Sequence, residues 1–284
     1  MERFVKSLPH FKGSWILYSP MLALLPRKKR LVNLTFLHDK KTLFDVVLDV
    51  ADPAQHTVAT TQFEPGTALT IWSLLKEGDS FIDIGANFGL FSRIASKKLG
   101  ENGMVFSIEP NPAAYKFLLE GAENNMFPMN VVASKSADLA FTLHKPWYRQ
   151  TTAGRFLQTE NGTIKSIKLD DLYNDKVIKN VTLIKIDTEG AEFLVLEGAK
   201  QLLQEYKPFV IAEVVPAYAK YFNYTVEELY VFMKNLGYSH FYEINDTAGS
   251  IKEIEIQGGE EGQILFASRA LTEEDFNEVV IRKS

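Results

Sequence analysis

The chain has 284 residues, 46% of them hydrophobic and 24% charged, enough apolar content at this length to bury a large core. Its 31 basic and 36 acidic side chains give a formal charge of −5, which excludes a disordered chain, a collagen-like chain and a strongly basic nucleic-acid binder. Cysteine is absent, so a disulfide, a thiolate zinc site and a cysteine nucleophile are all excluded.

The first residues, Met-Glu-Arg-Phe-Val-Lys, lack the basic segment running into an apolar stretch that marks a secretion signal. Residues 15–25 are the most apolar early stretch; they would cross about half a bilayer and contain Pro20. The expectation is therefore a cytoplasmic protein with no stable membrane insertion. On that reading the Asn-x-Ser/Thr sequons at Asn33, Asn161, Asn180, Asn223 and Asn245 are coincidental. The basic run Arg27 to Arg30 reads as a solvated turn, with anionic lipid as the competing reading.

Short Val-, Thr- and Leu-rich runs over 31–37, 43–50 and 57–62 read as strands of an N-terminal extension covering residues 1–65. Pro65-Gly66 reads as a break, followed by an amphipathic helix through Ile71, Leu74 and Leu75 that stops at Gly78. From residue 80 strands and helices alternate. Strands are expected over 80–84, 104–108, 130–133, 139–143, 183–186 and 209–214, with helices after most of them. Asn111-Pro112 reads as a capped helix opening. Runs over 241–244 and 264–267 would close the sheet. Residues 66–284 thus form an α/β domain around a mostly parallel sheet with an antiparallel closing strand.

In such sheets ligands sit at the C-terminal strand ends. Asp83, Glu109 and Asp187 fall at those ends, with Glu213 close behind. The segment Asp83-Ile-Gly85-Ala-Asn87-Phe-Gly89 lets a strand turn into a helix and lets a ligand approach bare backbone. Its glycines are spaced G-x-x-x-G, not the G-x-G-x-x-G of dinucleotide sites, which argues against a dehydrogenase. An acid two residues before the first glycine opposes a pyrophosphate and suits a cationic ligand such as a sulfonium. That points to S-adenosylmethionine. Glu109, at the end of the next strand, is placed to accept hydrogen bonds from a ribose.

Three motifs together, Asp-Ile-Gly-Ala-Asn-Phe-Gly (83–89), Ser-Ile-Glu-Pro-Asn-Pro (107–112) and Ile-Lys-Ile-Asp-Thr-Glu-Gly-Ala-Glu (184–192), resemble the FkbM-type methyltransferases. The last, with Leu196-Glu197-Gly198, is the most specific to them. The resemblance covers about residues 40–270 and implies a Rossmann-like class I fold, S-adenosyl-L-methionine as donor and O-methylation of a sugar, natural product or small metabolite. It also implies that Asp83 and Gly85 lie near the methionine part, that Asn87 and Gly89 belong to the same cofactor-binding turn, and that Glu109 holds the ribose. Ser136 would lie in the loop bordering adenine, where this chain has Lys135-Ser136 in place of the family's Ser-Asp.

Asp187 and Glu189 are the expected active-site acids, and Glu192 reads as an acid complementing a helix start. His144, before the polar–aromatic loop from Lys145 to Arg149, is the competing base. No resident metal is expected, although Asp187 and Glu213 could hold one for a catechol-like acceptor. The expected partner is a small-molecule or glycan acceptor. A nucleic-acid acceptor is disfavoured by charge and by Ala113-Ala114 after Asn111-Pro112, where base methyltransferases carry Pro-aromatic. A protein that binds the donor without transferring methyl stays open, as does the oligomeric state.

Overall fold

The protein's structure is a computed structural model describing residues 29–35, 43–49, 55, 63–144, 155–246, 249–256, 260–276 and 280–282. The expected strand over 57–62, the apolar stretch over 15–25, Arg27, Lys28 and the loop from Lys145 to Arg149 lie outside the described residues. Strands and helices are numbered in chain order. Near the N-terminus β1 (Lys29–Thr35) pairs antiparallel with β2 (Leu43–Asp49).

Five parallel strands form the heart of the main sheet, in the order β5 (Met126–Met129), β4 (Met104–Ile108), β3 (Ser80–Ile84), β10 (Leu183–Ile186) and β11 (Phe209–Val214). The strand β14 (Gly262–Ala267) then runs antiparallel to β11 and also to the next strand, β12 (His240–Asn245). Beyond them lie β13 (Ser250–Glu253) and β15 (Val280–Arg282). The architecture is α/β with a mostly parallel sheet and an antiparallel closing strand.

Every residue of β3 and β10 is buried, because helices cover both faces and alternate side chains feed two cores. Phe81, Leu183 and Ile211 pack with α1 (Pro65–Leu74) and α2 (Leu90–Leu99). Ile82, Ile84, Ile184 and Ile186 pack on the opposite face, with α5 (Glu192–Glu197), α6 (Lys200–Tyr206) and α8 (Val226–Asn235). By the same alternation the polar register partners Asp83 and Lys185 share the face of Phe81, towards α2.

Two local expectations differ from what forms. Pro65-Gly66 does not break the chain but opens α1, with proline at the first helical turn, where its missing N–H costs nothing. A Cβ at Gly66 would lie 2.6 Å from the Asn245 carbonyl oxygen, so the glycine lets α1 press on the end of β12. The helix is buried at Gly66 through Ile71 and again at Leu74, and is not amphipathic. A second sheet, of β6 (Val132–Ala133), β9 (Ile164–Ile167), β7 (Ala140–His144) and β8 (Arg155–Gln158), adds strands at β8 and β9 that the hydrophobic pattern does not announce. The expected opening of α3 (Pro112–Glu120) forms as read, with Asn111 accepting from Ala113 N at 3.0 Å.

Candidate active site

The turn after β3 is built on glycine. Gly85 has φ 78°, and its N–H and that of Ala86 donate to the Ile108 carbonyl at 2.9 and 3.1 Å. A Cβ at Gly85 would lie 1.7 Å from the Asp187 carbonyl oxygen. The turns after β3 and β10 therefore touch backbone to backbone, which only glycine permits. Gly89, with φ 88°, serves packing: a Cβ there would lie 2.7 Å from Leu118 Cδ1 on α3.

Glu109 continues from β4 and is clamped by both oxygens. Oε1 accepts from Asn111 N at 2.6 Å and Oε2 from Asn87 N at 2.8 Å. Burial raises its pKa to about 7, against the opposing pull of those two backbone donors. Both carboxylate oxygens are thus fixed in direction, each with a lone pair left for a ligand hydroxyl.

Lys185 is a buried cation in the cavity wall. It is 1% exposed, pairs with Asp187 Oδ2 at 3.0 Å and lies 4.7 Å from the centre of the Phe91 ring. Burial alone would lower its pKa, but the carboxylates of Asp187, Asp83 and Glu64 outweigh this and raise it. Asp83 is fully buried beneath the turn and accepts from Ser92 Oγ at 2.6 Å. Ser107 Oγ donates in turn to Ser92 Oγ at 2.8 Å. Burial raises the Asp83 pKa as well.

The turn Asp187-Thr188-Glu189-Gly190 is held from below by Glu192. Its Oε1 accepts from Thr188 N and Thr188 Oγ1, both at 2.9 Å, and from Gly190 N at 3.1 Å. Its Oε2 accepts from the Tyr224 hydroxyl at 3.2 Å. Glu192 is therefore a fastener of the turn rather than only a charge at a helix start. Glu189 itself has φ 57°. Its carbonyl accepts from Arg155 Nε at 3.0 Å, and the Arg155 guanidinium lies over the rings of Tyr218 and Tyr221 at 4.4 and 4.3 Å. Burial, then the charge of Asp187, raise the Glu189 pKa to about 7, with Arg155 opposing. Glu213, at the end of β11, is pushed to about 9 by burial and by the charges of Asp187 and Glu189.

These strand ends surround a cavity of about 380 Å³, the size range of small-molecule sites. Gly85, Asn87, Glu109, Asp187 and Glu189 share its wall with Glu213. Asp83 and Gly89 stand behind the wall. Ser136 and His144 are not in it; His144 is exposed at the end of β7, and Ala133 and Ser134 line the position near Ser136. Glu64, Lys185, Phe91 and Phe156 also line the cavity, none of them marked as a site residue by a sequence motif. A lysine between two apolar residues of a buried strand was the available signal for Lys185. Among the described residues no three His, Asp or Glu side chains are grouped to hold a metal ion, and no helix is long and apolar enough to cross a membrane.

A mostly parallel α/β sheet, closed by an antiparallel strand and carrying a glycine-turned, acid-lined cavity at its C-terminal strand ends, has the Rossmann-like fold of class I methyltransferases. The model of the methyltransferase FkbM domain matches residues 83–239, more than half of the chain, and the chain belongs to that family. Among curated proteins it is similar to the hexuronic acid methyltransferase AglP of Haloferax volcanii, 31% identical over 144 residues. That match covers 49% of this chain and 57% of the relative, so the chain spans little more than half of the relative's length. Among solved structures it is similar to a methyltransferase FkbM from Methylobacillus flagellatus, with TM-score 0.44, 16% identity, and 68% and 44% of the two chains covered. An O-methyltransferase from Bacillus cereus in complex with SAH gives TM-score 0.44, 13% identity, and 76% and 86% coverage.

Proposed function

We propose that the chain is an S-adenosylmethionine-dependent O-methyltransferase acting on a hydroxyl of a sugar or similar small acceptor. The observation that carries this reading is the division of the cavity: a clamped ribose-type acid, Glu109, beside the Gly85 turn, and a cluster of acids after β10 and β11. The residues fit the donor. Gly85, by letting the turns after β3 and β10 meet, shapes the wall against which the donor would lie, and Asn87 presents a buried side-chain oxygen with no hydrogen-bond partner among the described residues. Glu109 would accept from the ribose hydroxyls, and Ala133 and Ser134 would border the base. The membership in a methyltransferase family and the sugar acid named for the Haloferax volcanii relative support the sugar-type acceptor.

When bound, the donor supplies a methyl group on a sulfonium, a bond already weakened towards a neutral leaving group. The work left to the chain is alignment and proton removal. Asp187, anchored by Lys185, presents an acid to the sulfonium side of the cavity, while Glu213, pushed to about 9 by burial and by the neighbouring acids, stays protonated at neutral pH. Glu189, with a pKa near 7, is the acid best matched to accept the acceptor's hydroxyl proton at neutral pH. Arg155, flat against Tyr218 and Tyr221 beside Glu189, offers a guanidinium to an acidic substituent on the acceptor.

The test is incubation with methyl-labelled S-adenosylmethionine and a panel of neutral and acidic sugars, read by mass spectrometry. A methyl ether on a sugar hydroxyl is the expected product. Binding of S-adenosylhomocysteine without transfer to any acceptor class would leave a donor-binding protein instead.

A further inference from the structure

Glu64 lies ahead of the family-matched segment 83–239, yet it forms part of the cavity wall. Its backbone is left-handed, φ 43° and ψ 59°, a conformation that costs a non-glycine residue and persists only where the surroundings impose it. It occupies the N-cap position of α1, but its side chain caps nothing. Oε2 is buried and accepts no hydrogen bond. Burial without a hydrogen bond raises the Glu64 pKa to about 8, so the acid keeps its proton at neutral pH until a cation reaches it.

The fold does not need this carboxylate. Thr67 N, in the first turn of α1, is satisfied by Asp246 Oδ1 at 2.8 Å, and Gly66 rests against the backbone of Asn245. Lys185 contributes charge from nearby, but its ion pair is with Asp187. Glu64 therefore lines the cavity with a buried acid oxygen that has no hydrogen-bond partner among the described residues.

A ligand that satisfies Oε2 must bring a hydrogen-bond donor, and a cation suits an ionised acid best. A sulfonium has no N–H or O–H to offer. The ribose hydroxyls have Glu109, whose two oxygens are already aimed by Asn87 and Asn111. Resting on the donor assignment above, we propose that Glu64 receives the α-ammonium group at the amino-acid end of S-adenosylmethionine. Ionic recognition of the donor then comes from a residue outside the matched domain, and Asp83, buried behind the wall and bonded to Ser92, acts as a brace between β3 and α2.

The test uses calorimetry with two ligands that share the adenosine and differ in the tail: S-adenosylhomocysteine, which carries the ammonium, and methylthioadenosine, which lacks the whole amino-acid end. Glu64→Gln should weaken S-adenosylhomocysteine by about 10- to 100-fold, the loss of one charged hydrogen bond, and leave methylthioadenosine unchanged. The ligand-side counterpart needs no variant. The deamino analogue of S-adenosylhomocysteine should bind the wild-type protein as weakly as the parent binds Glu64→Gln. Equal weakening of both ligands would place Glu64 on the adenosine, and unchanged S-adenosylhomocysteine affinity would remove it from the site; either overturns the proposal. If the wild-type protein binds neither ligand, the donor assignment itself is wrong, an outcome distinct from a failure of Glu64 alone.

Discussion

Replacing Glu192 with alanine should unfasten the turn that carries Asp187 and Glu189. The carboxylate accepts from Thr188 N, Thr188 Oγ1, Gly190 N and the Tyr224 hydroxyl, and the residue is 1% exposed. Hydrogen bonds to a charged group are each worth about 1.5–3 kcal/mol. Their sum overstates the effect, because removing the acid also removes its own burial cost, which is large enough to raise its pKa. Thr188 lines the cavity, where water can replace the lost partner; Gly190 N and the Tyr224 hydroxyl have no such recourse. A net loss of about 3 kcal/mol follows, equivalent to a melting temperature lower by about 6–12 °C for a chain of this size. Glu192→Gln keeps one acceptor oxygen for the turn and should fall between. Differential scanning fluorimetry reads the stability, and single-turnover methyl transfer reads the site. Transfer should drop further than S-adenosylhomocysteine affinity, since the Glu109 side does not depend on this fastener. A melting temperature for Glu192→Ala within about 2 °C of wild type would refute the reasoning.

The ligand-free protein should lose stability as pH rises from 5 to 9. Burial raises Glu109 and Glu189 to about 7, Glu64 to about 8 and Glu213 to about 9, so the folded state holds protons that the unfolded chain releases near 4.5. A melting temperature that climbs over that range contradicts those shifts. Glu189→Gln should bind S-adenosylhomocysteine nearly normally while transferring methyl at least about 10²-fold more slowly, whereas His144→Ala, exposed and off the cavity wall, should transfer at close to the wild-type rate. Gly85→Ala should fail as a folding lesion rather than a selective binding defect, because its Cβ would meet the Asp187 carbonyl at 1.7 Å and φ is 78°; soluble protein with a wild-type melting temperature would disprove it.

The sheet was legible wherever burial leaves a continuous apolar run, as in Phe81 to Ile84 and Leu183 to Ile186. It was illegible where pairing rather than composition makes the strand. Arg155–Gln158 and Ile164–Ile167 are short and half polar, and gain their extended form from β7. The strand expected over 130–133 is confined to Val132–Ala133, and the last strand of the main sheet is instead Met126–Met129, an edge position where Pro128 is tolerated. The acids at strand ends could be read because strand ends converge in any parallel sheet. Which of them face the cavity could not, because Asp83 precedes its turn by one residue and alternation turns it towards α2. Glu64 gave no signal, since neither its left-handed backbone nor its approach to β10 is encoded in a local pattern.

The position of β14 sets the order in which this fold can be assembled. Residues 262–267 fill the gap between β11 and β12, pairing Ile211 with Leu265 on one side and Phe241 with Phe266 on the other. During synthesis the first five parallel strands emerge well before it, leaving the long apolar edge of β11 exposed, a template for wrong partners. Glu213, paired with Gln263, reaches its final place only when that late segment arrives. The nascent chain therefore carries the turn at residues 83–89 through about 170 further residues of translation before β14 begins at residue 262, and a ribosome stalled ahead of that point would hold a sticky, incomplete sheet.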